Sequence, residues 1–324
     1  MRLTLPRLGW PIAALLIAGL LAASLFVGGY ELSLAGVLTD PAQREVFLIS
    51  RVPRTLALVF ASVAMTFSGV IMQMITQNKF VEPTTAGTSQ WAGLGVLVVL
   101  LALPDAAPLL KMALASVYAF GGTMIFLAIL RRVGVAGSVL VPLVGIMLGA
   151  VVGAATTFLA GRANLLQSMS AWRSGGFSSV VRGFYEPLWA VLAIAVIAWL
   201  AADRFTVAGL GREVATNVGL DYSRTVLLGT TLVALATGIT SVVVGFIPFL
   251  GLIVPNLVSM LRGDDLRANL GWVAAIGAGL LLVCDLIGRV VVAPMEIPAS
   301  VVMGIVGGIG FIVMVVNQRD RIPA

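Results

Sequence analysis

Histidine is absent from the sequence, cysteine occurs once and lysine twice, and each scarcity excludes a kind of chemistry. Because the single cysteine, Cys284, lies in an apolar run, neither an intrachain disulfide nor a Cys/His metal centre or active site is expected. A phosphate-binding loop needs Gly-Lys-[Ser/Thr], whereas Lys79 follows Asn78 and Lys111 follows Leu110. We therefore expect no cofactor, no bound metal and no enzymatic activity in this chain. If ATP drives the protein, another subunit hydrolyses it.

Charge is also scarce, and apolar residues take its place. Charged residues make up 10% of the chain and hydrophobic residues 60%, where soluble proteins have about 25% and about 45–50%. The mean hydropathy of +1.08 indicates an integral membrane protein. No polar block is long enough for a separate soluble domain, so we expect one transmembrane domain over residues 1–324. The net charge of +6 comes from scattered arginines and does not indicate a nucleic-acid partner.

The apolar runs predict an all-α, polytopic fold with about ten transmembrane helices. Of the 20 basic residues, 12 fall in loops on one side, which the positive-inside rule makes cytoplasmic together with both termini. Arg54-Thr-x-x-Leu58 and Arg224-Thr-x-x-Leu228 open two oppositely directed helices, which is the trace expected of an inverted repeat. The predicted spans are approximately 12–27, 51–75, 88–103, 109–130, 139–159, 187–202, 225–244, 245–261, 268–287 and 299–316.

Two segments are too polar to lie in lipid. Residues 76–88 contain Pro83 and Gly87, and they must be exposed to water or line a cavity because irregular backbone cannot face lipid. Ala208–Arg224 is a charged island that predicts a short helix and a turn, within a cytoplasmic loop of about residues 206–224. From the residues alone, this island is either a docking surface for another protein or an ordinary solvated loop.

The island resembles the Glu-Ala-Ala-x-x-x-Gly coupling loop of ABC importer permeases, with Glu213, Ala215 and Gly219 in place and Val214 where the first alanine stands. With the other motifs, the chain from about residue 45 onward resembles the FecCD-type permeases, the membrane subunits of importers for ferric siderophores, haem and cobalamin. These motifs are Arg51-Val-Pro-Arg54, Gln77-Asn-Lys-Phe-Val-Glu-Pro-Thr-Thr-Ala-Gly87, Gly251-Leu-Ile-Val-Pro-Asn256 and the closing helix after Pro298. Many relatives have histidine where Asn256 stands. With asparagine at this position, the sequence resembles the branch of the family that handles ferric catecholate-type siderophores.

The resemblance implies a permease subunit of a binding-protein-dependent importer in the bacterial cytoplasmic (inner) membrane, moving a ferric siderophore inward by alternating access. The implied partners, besides membrane lipid and the siderophore, are a dimeric ABC ATPase, an extracytoplasmic substrate-binding protein and a second identical or homologous permease. The positions matching the family's ATPase-coupling loop are Arg212, Glu213, Ala215 and Gly219. The positions matching arginines that receive acidic residues of the binding protein are Arg51, Arg54 and Arg289. For each of these three, an arginine that only snorkels to the membrane surface is the alternative.

The resemblance also implies a cytoplasmic gate at Asn78 and Phe80, with Ser138 at the start of the fifth helix as a further candidate. An asparagine and a bulky phenylalanine on an irregular loop can close a pore by side-chain contact, but a helix cap explains Asn78 equally well. The polar residues that can line the pathway, or else make one interhelical hydrogen bond each, are Gln73, Thr156 and Thr157.

The alternative function is an ion- or proton-coupled secondary transporter, which would need a coupling carboxylate near the middle of the bilayer. Asp285 is the only acidic residue inside a predicted helix, and it lies near the outer end of that helix. We expect it to pair with Arg289 one turn away. A membrane-embedded enzyme would need a cluster of His, Asp or Glu residues that the sequence lacks.

Overall fold

The computed structural model describes residues 9–30, 32–134, 140–174 and 176–319, and within these ranges the chain forms helices and no strands. The predicted all-α class is confirmed. The helices are α1 (Gly9–Phe26), α2 (Leu34–Thr39), α3 (Pro41–Val46), α4 (Val52–Thr76), α5 (Thr88–Ala102), α6 (Pro108–Val133), α7 (Leu140–Arg162), α8 (Leu166–Arg173), α9 (Ala190–Leu200), α10 (Ala202–Ala208), α11 (Arg212–Asn217), α12 (Tyr222–Val244), α13 (Leu250–Arg262), α14 (Leu266–Val290) and α15 (Ala299–Arg319).

Ten apolar segments occur in the described ranges, which is the number the sequence predicts. Six helices are long and apolar enough to cross a membrane, and the stretch Glu186–Leu200 forms a seventh span with α10, bent by 59° at their junction. Three shorter apolar helices complete the set: α5, α13 and the Ala299–Met314 part of α15. Residues 1–8 and 320–324 lie outside the described ranges, so the cytoplasmic side of the termini stays a prediction.

The second span lies in a continuous helical stretch that begins at Pro41, ahead of the predicted start. Helix α4 itself begins at Val52, with Arg51 at its N-cap, as the sequence predicts. The side chain of Asp40 accepts a hydrogen bond from the amide of Ala42, which caps α3. Pro41 occupies the first turn, where a missing N–H breaks no helical hydrogen bond. The pair Asp40-Pro41 is therefore a helix-start signal that is present in the sequence.

Phe47–Arg51 form a π-helical turn that joins α3 to α4, just before Pro53. Since proline has no N–H, the carbonyl of Ile49 loses its helical partner. The backbone amide of Arg182, from the connection between α8 and α9, donates to this carbonyl at 2.9 Å. This hydrogen bond connects the segment between α8 and α9 to the π-helical turn that precedes α4.

Helix α4 lies at the centre of the fold and packs against α9, α12, α13 and α14. α12 runs antiparallel to it, because Gly229 in the second turn of α12 lies against Ile71 and Ile75 near the end of α4. Arg54 and Arg224 are each the third residue of these two helices. This equivalence is what the predicted inverted repeat requires.

Candidate functional site

The three predicted docking arginines converge at one end of the bundle, but their side chains lie inside it. Arg51, Arg54 and Arg289 are 6%, 7% and 4% exposed. Arg54 donates to Asp285 and to Glu296, both at 2.8 Å, and Arg289 pairs with the other oxygen of Asp285. The predicted pairing of Asp285 with Arg289 is confirmed.

Arg51 and Arg289 also donate to carbonyls in the last turn of α1 and directly after it, where the helix supplies no partner. Arg51 donates to the carbonyls of Val27 at 2.9 Å and Tyr30 at 3.1 Å. Arg289 donates to those of Ser24 at 2.8 Å and Val27 at 2.9 Å. Cations at a helix C-terminus also complement the helix dipole. The arginines therefore hold α1 against α4 and α14, while their docking role stays a prediction.

Glu296, in the loop between α14 and α15, is the carboxylate of this cluster that reaches solvent, with 28% of its side chain exposed. It accepts hydrogen bonds from Arg54 and from the hydroxyl of Ser178. Burial raises the pKa of Glu296, but these two partners lower it by more, and the net pKa lies below the ordinary 4.5. Sequence reasoning did not single out Glu296. The available signal was a lone carboxylate in residues 290–298, a loop expected beside the outer arginines.

The predicted coupling loop lies at the opposite end of α4 from these arginines. Gln77, directly after the last turn of α4, donates through Nε2 to the carbonyl of Gly209 at 3.4 Å. A Cβ on Gly211 would lie 2.7 Å from the same Nε2, so the chain can pass this close because the residue is glycine. The start of the coupling loop is therefore in direct contact with the start of the predicted gate segment.

Within the coupling loop, helix α11 presents Arg212 and Glu213 in its first turn, and both side chains are exposed. Ala215, in contrast, is completely buried. Ala215 packs inside its own chain and lets α11 lie close to α10 and α12, while the part it plays in the coupling loop stays a prediction.

Gly219 ends α11 with the backbone in the left-handed region, at φ +86°. Its amide donates to the carbonyl of Thr216, and the amide of Leu220 donates to that of Ala215, both at 2.9 Å. This pair of bonds is a Schellman motif, which glycine favours because it has no Cβ. A Cβ on Gly219 would meet nothing within 4 Å. Glycine is thus required here by backbone conformation and not by lack of space.

Three apolar side chains of the coupling loop are exposed. Leu210, Val214 and Val218 are 62%, 45% and 66% exposed, and the last two are one helical turn apart. With the neighbouring Arg212 and Glu213 they form a mixed apolar and charged surface, which we call the coupling face. Val214 departs from the alanine of the family motif, yet the structure places it on this face.

The predicted gate residues Asn78 and Phe80 follow α4 in the same segment. The side-chain oxygen of Asn78 accepts a hydrogen bond from the amide of Phe80 at 2.9 Å, which forms an Asx turn. No helix begins at this point of the segment, so this bond is not the helix cap considered for Asn78. The ring of Phe80 packs edge-on against Phe311 of α15, with centroids 5.8 Å apart. Ser138 lies outside the described residues. The gating role of all three residues stays a prediction.

Gln73, predicted to line the pathway, donates a hydrogen bond to a backbone carbonyl of the neighbouring helix α13. Pro255 lies inside α13 and lacks an N–H, so the carbonyl of Gly251 has no helical partner. Gln73 donates to it through Nε2 at 3.4 Å. The two helices can cross this closely because a Cβ on Gly69 would lie 1.9 Å from the same carbonyl oxygen. Gln73 thus makes one interhelical hydrogen bond, and its role in lining the pathway stays a prediction.

A cavity of about 370 Å³ lies between the end of α4, the coupling loop, α13 and α14. Gln73 of α4 and Asn78, directly after α4, contribute to its wall, and so do Gly209 and Leu210 from the coupling loop. The cavity leaves room for these two elements to move relative to each other.

Lys79 fastens the gate segment along α13. Its carbonyl accepts a hydrogen bond from Asn256 at 2.6 Å, and its ammonium group lies 3.3 Å from the hydroxyl of Ser259 and 3.2 Å from Asp264. The hydrogen bond from Ser259 holds the pKa of Asp264 below its ordinary value, and Lys79 contributes in the same direction. Asn256, the position where many relatives have histidine, therefore has a structural partner here.

The gate segment then folds back into the bundle and carries a buried carboxylate, Glu82, which is 0% exposed. Its Oε1 accepts a hydrogen bond from the amide of Phe249 at 3.0 Å and another from the hydroxyl of Thr84. Its Oε2 lies against Gly251 with no hydrogen bond of normal geometry among the described atoms. Sequence reasoning quoted Glu82 within a motif but gave it no role, since an acidic residue in a loop is ordinarily solvated.

Glu82 lies deep in the fold. A Cβ on Gly251 would lie 3.0 Å from Glu82 Oε2 and 2.6 Å from the carbonyl oxygen of Met65. Met65 is eleven residues before the end of α4, or about 16 Å at 1.5 Å per residue. Burial disfavours the charged form of a carboxylate, and the hydrogen bonds from Phe249 and Thr84 act in the opposite direction.

The outer surface of α7 forms an open groove of about 710 Å³. Thr157 is exposed in this groove, whereas Thr156 is buried, and each hydroxyl donates to a carbonyl of its own helix. The interhelical hydrogen bonds considered for these threonines are therefore absent from the described structure. The small and polar residues of the groove wall include Thr84, Gln90, Gly149, Gly153, Thr157 and Arg173.

Metal-binding clusters do not occur in the described ranges, where no three His, Cys, Asp or Glu side chains come together. The model of the FecCD transport family matches residues 15–317. The chain belongs to the FecCD transport family. It is thus a multi-pass permease of an ABC importer in the bacterial cytoplasmic membrane, as the sequence motifs predict.

Individual relatives are similar over nearly their whole length. The petrobactin import system permease protein FatD of Bacillus anthracis is 45% identical over 308 residues, which cover 95% of this chain and 90% of the relative. The ferric-anguibactin transport system permease protein FatD of Vibrio anguillarum is 41% identical, covering 90% and 94%. A solved structure described as an inward-facing conformation of a putative metal-chelate type ABC transporter has a TM-score of 0.79 at 24% identity, covering 94% and 97%. That structure supports the fold.

Proposed function

We propose that this permease imports a ferric siderophore, which a substrate-binding protein delivers from outside and a separate ATPase subunit drives through by alternating access. The relatives named for petrobactin and ferric-anguibactin support this class of substrate. A second identical or homologous permease would complete the pathway, with the groove on α7 as one wall.

One observation carries the proposal: the coupling face is exposed and apolar, and its loop contacts the gate segment through Gln77 and Gly209. Exposed apolar patches of this kind mark sites for partner proteins. A partner that moves this face would move the residues that follow α4. The face therefore offers an ATPase subunit both a docking site and a route to the gate.

The docking role is tested by placing a carboxylate on the coupling face. We expect Val218→Asp to abolish co-purification of the ATPase subunit, because the charge replaces an exposed apolar contact at the centre of the proposed interface. Thr216→Asp is the matched control, since it puts the same charge on the same helix at an exposed position outside the apolar stripe. Equal retention of the ATPase by both variants would contradict the docking role.

The proton-coupled alternative gains one observation from the structure, because Glu82 is a carboxylate at membrane depth. Its Oε1, however, is held by a backbone amide and a hydroxyl. Uptake that continues without the ATPase subunit and stops when the proton gradient is collapsed would support this alternative.

A further inference from the structure

We propose that Glu82 is a positioning residue that clamps the gate segment, residues 77–87, to the first turn of α13, so that the two move as one body during transport. This inference rests on the proposed function, since it concerns how movement of the coupling loop reaches the pathway. It concerns a residue that the docking, coupling and gating assignments leave without a role.

The first support is the way Glu82 meets α13. Phe249, directly before α13, has the left-handed backbone conformation, at φ +62°, and its amide points at Glu82 Oε1 from 3.0 Å. The amides of the first helical turn have no partner in their own helix, and a carboxylate there complements the helix dipole. In the described part of the chain Glu82 forms no salt bridge, so its carboxylate is stabilised by the start of α13 together with the hydroxyl of Thr84 in its own segment.

The second support is that the Glu82 contact is one of a row of contacts between the gate segment and α13, which we call the seam. Toward the cytoplasmic end, the carbonyl of Lys79 accepts a hydrogen bond from Asn256, and its ammonium group contacts Ser259. Glu82 fastens the deep end of the same seam. The segment is therefore attached to α13 along the length of that helix.

The third support is the internal build of the segment around Glu82. Thr85 accepts a hydrogen bond from the amide of Glu82 at 2.9 Å, and the amide of Ala86 donates to the carbonyl of Glu82 at 2.9 Å. Val81 and Ala86 are completely buried. The segment is thus a packed unit, and its position is set by its contacts with α13. Gln77, its first residue, connects it to the coupling loop.

A mechanical role follows from this arrangement. When an ATPase moves the coupling loop, Gln77 transmits the movement to the segment, and the seam transmits it to α13. Without the deep attachment, the cytoplasmic end of the segment would move while α13 stayed behind. ATP hydrolysis would then continue with little import.

Two substitutions separate the reach of the side chain from its charge. Glu82→Asp keeps the charge but withdraws the carboxylate from the Phe249 amide by one methylene. Glu82→Gln keeps the reach and an acceptor oxygen but removes the charge. The importer, assembled with its ATPase, is reconstituted in liposomes, and the siderophore imported per ATP hydrolysed is measured for each variant. Glu45→Asp and Glu45→Gln, at an exposed position of α3, are the matched controls.

For a clamp, Glu82→Asp should lower import per ATP about tenfold, the change that corresponds to losing one hydrogen bond to a charged group. Glu82→Gln should lower import per ATP by a smaller factor than Glu82→Asp does, because a neutral hydrogen bond retains part of the contact. The Glu45 variants should behave as the unmodified protein does. ATPase activity should persist in all four variants.

Three outcomes would overturn the clamp. Import per ATP could fall more in Glu82→Gln than in Glu82→Asp, which would assign the role to charge. ATPase activity, import and thermal stability could fall in parallel, which would leave Glu82 a purely structural residue. Both variants could also match the controls. Absence of ATP-dependent import by the unmodified protein would instead contradict the proposed function itself.

Discussion

At the scale of single residues, the polar side chains inside this membrane protein mainly satisfy backbone groups that the helices leave open. Arg51 and Arg289 close the end of α1, Gln73 serves the carbonyl freed by Pro255, and Glu82 meets the start of α13. In hydrocarbon each such group would otherwise cost several kcal/mol. The residues with predicted or proposed roles in this chain therefore also have structural partners.

Gly219 allows a test at this scale. Gly219→Ala should weaken binding of the ATPase subunit about tenfold, because a non-glycine residue at φ +86° costs about 1–2 kcal/mol and disturbs the end of α11. The measurement is the affinity of the purified ATPase for the reconstituted permease. Gly121→Ala in α6 is the control, since its Cβ also meets nothing within 4 Å but its backbone is helical. Equal affinities for the two variants would show that the left-handed turn is not needed for docking.

Some of these residues were predictable and others were not. The pairing of Asp285 with Arg289 follows from helical spacing alone. The pairing of Arg54 with Asp285 and Glu296 joins positions more than two hundred residues apart, which no local pattern encodes. The burial of Ala215 was not predictable, because sequence does not show which side of a short helix faces its own chain.

At the scale of elements, prolines and glycines decide how helices join and cross. Pro53 frees the carbonyl of Ile49 for the amide of Arg182, and Pro255 frees that of Gly251 for Gln73. The existence of the apolar helices was predictable from their runs of hydrophobic residues. The early start of the second span and the inward fold of residues 77–87 were not, because both depend on partners distant in sequence.

The outer loop between α14 and α15 should respond to pH through Glu296. Its pKa in the folded protein lies below the ordinary 4.5, so its stabilising contribution is present above that pH and is lost as the pH falls through the lower, folded value. A spin label at the exposed position of Val291 should be restrained at neutral pH and become mobile well below pH 4.5.

Glu296→Gln provides the comparison for this experiment. The amide cannot form the ion pair with Arg54, so the label should be more mobile at neutral pH and should change little on acidification. A label with the same mobility at both pH values in the unmodified protein would show that the ion pair does not hold the loop.

At the scale of the whole molecule, the two predicted partner sites lie at opposite ends of α4. The arginine cluster with Glu296 surrounds its first turn, and the coupling loop contacts Gln77 after its last turn. A permease that is loaded from one side and powered from the other needs this separation. The domain boundaries and the partners themselves stay predictions, and the family membership was predictable because its motifs occur in order along the chain.

Energy-coupled uptake in liposomes tests this account most directly. The permease, its ATPase and its binding protein are reconstituted with ATP inside the vesicles, and entry of a radiolabelled ferric siderophore is followed. We expect uptake that requires ATP and the ATPase subunit, persists when the proton gradient is collapsed, and is lost in Val218→Asp. Uptake that proceeds without the ATPase and stops when the proton gradient is collapsed would contradict the account.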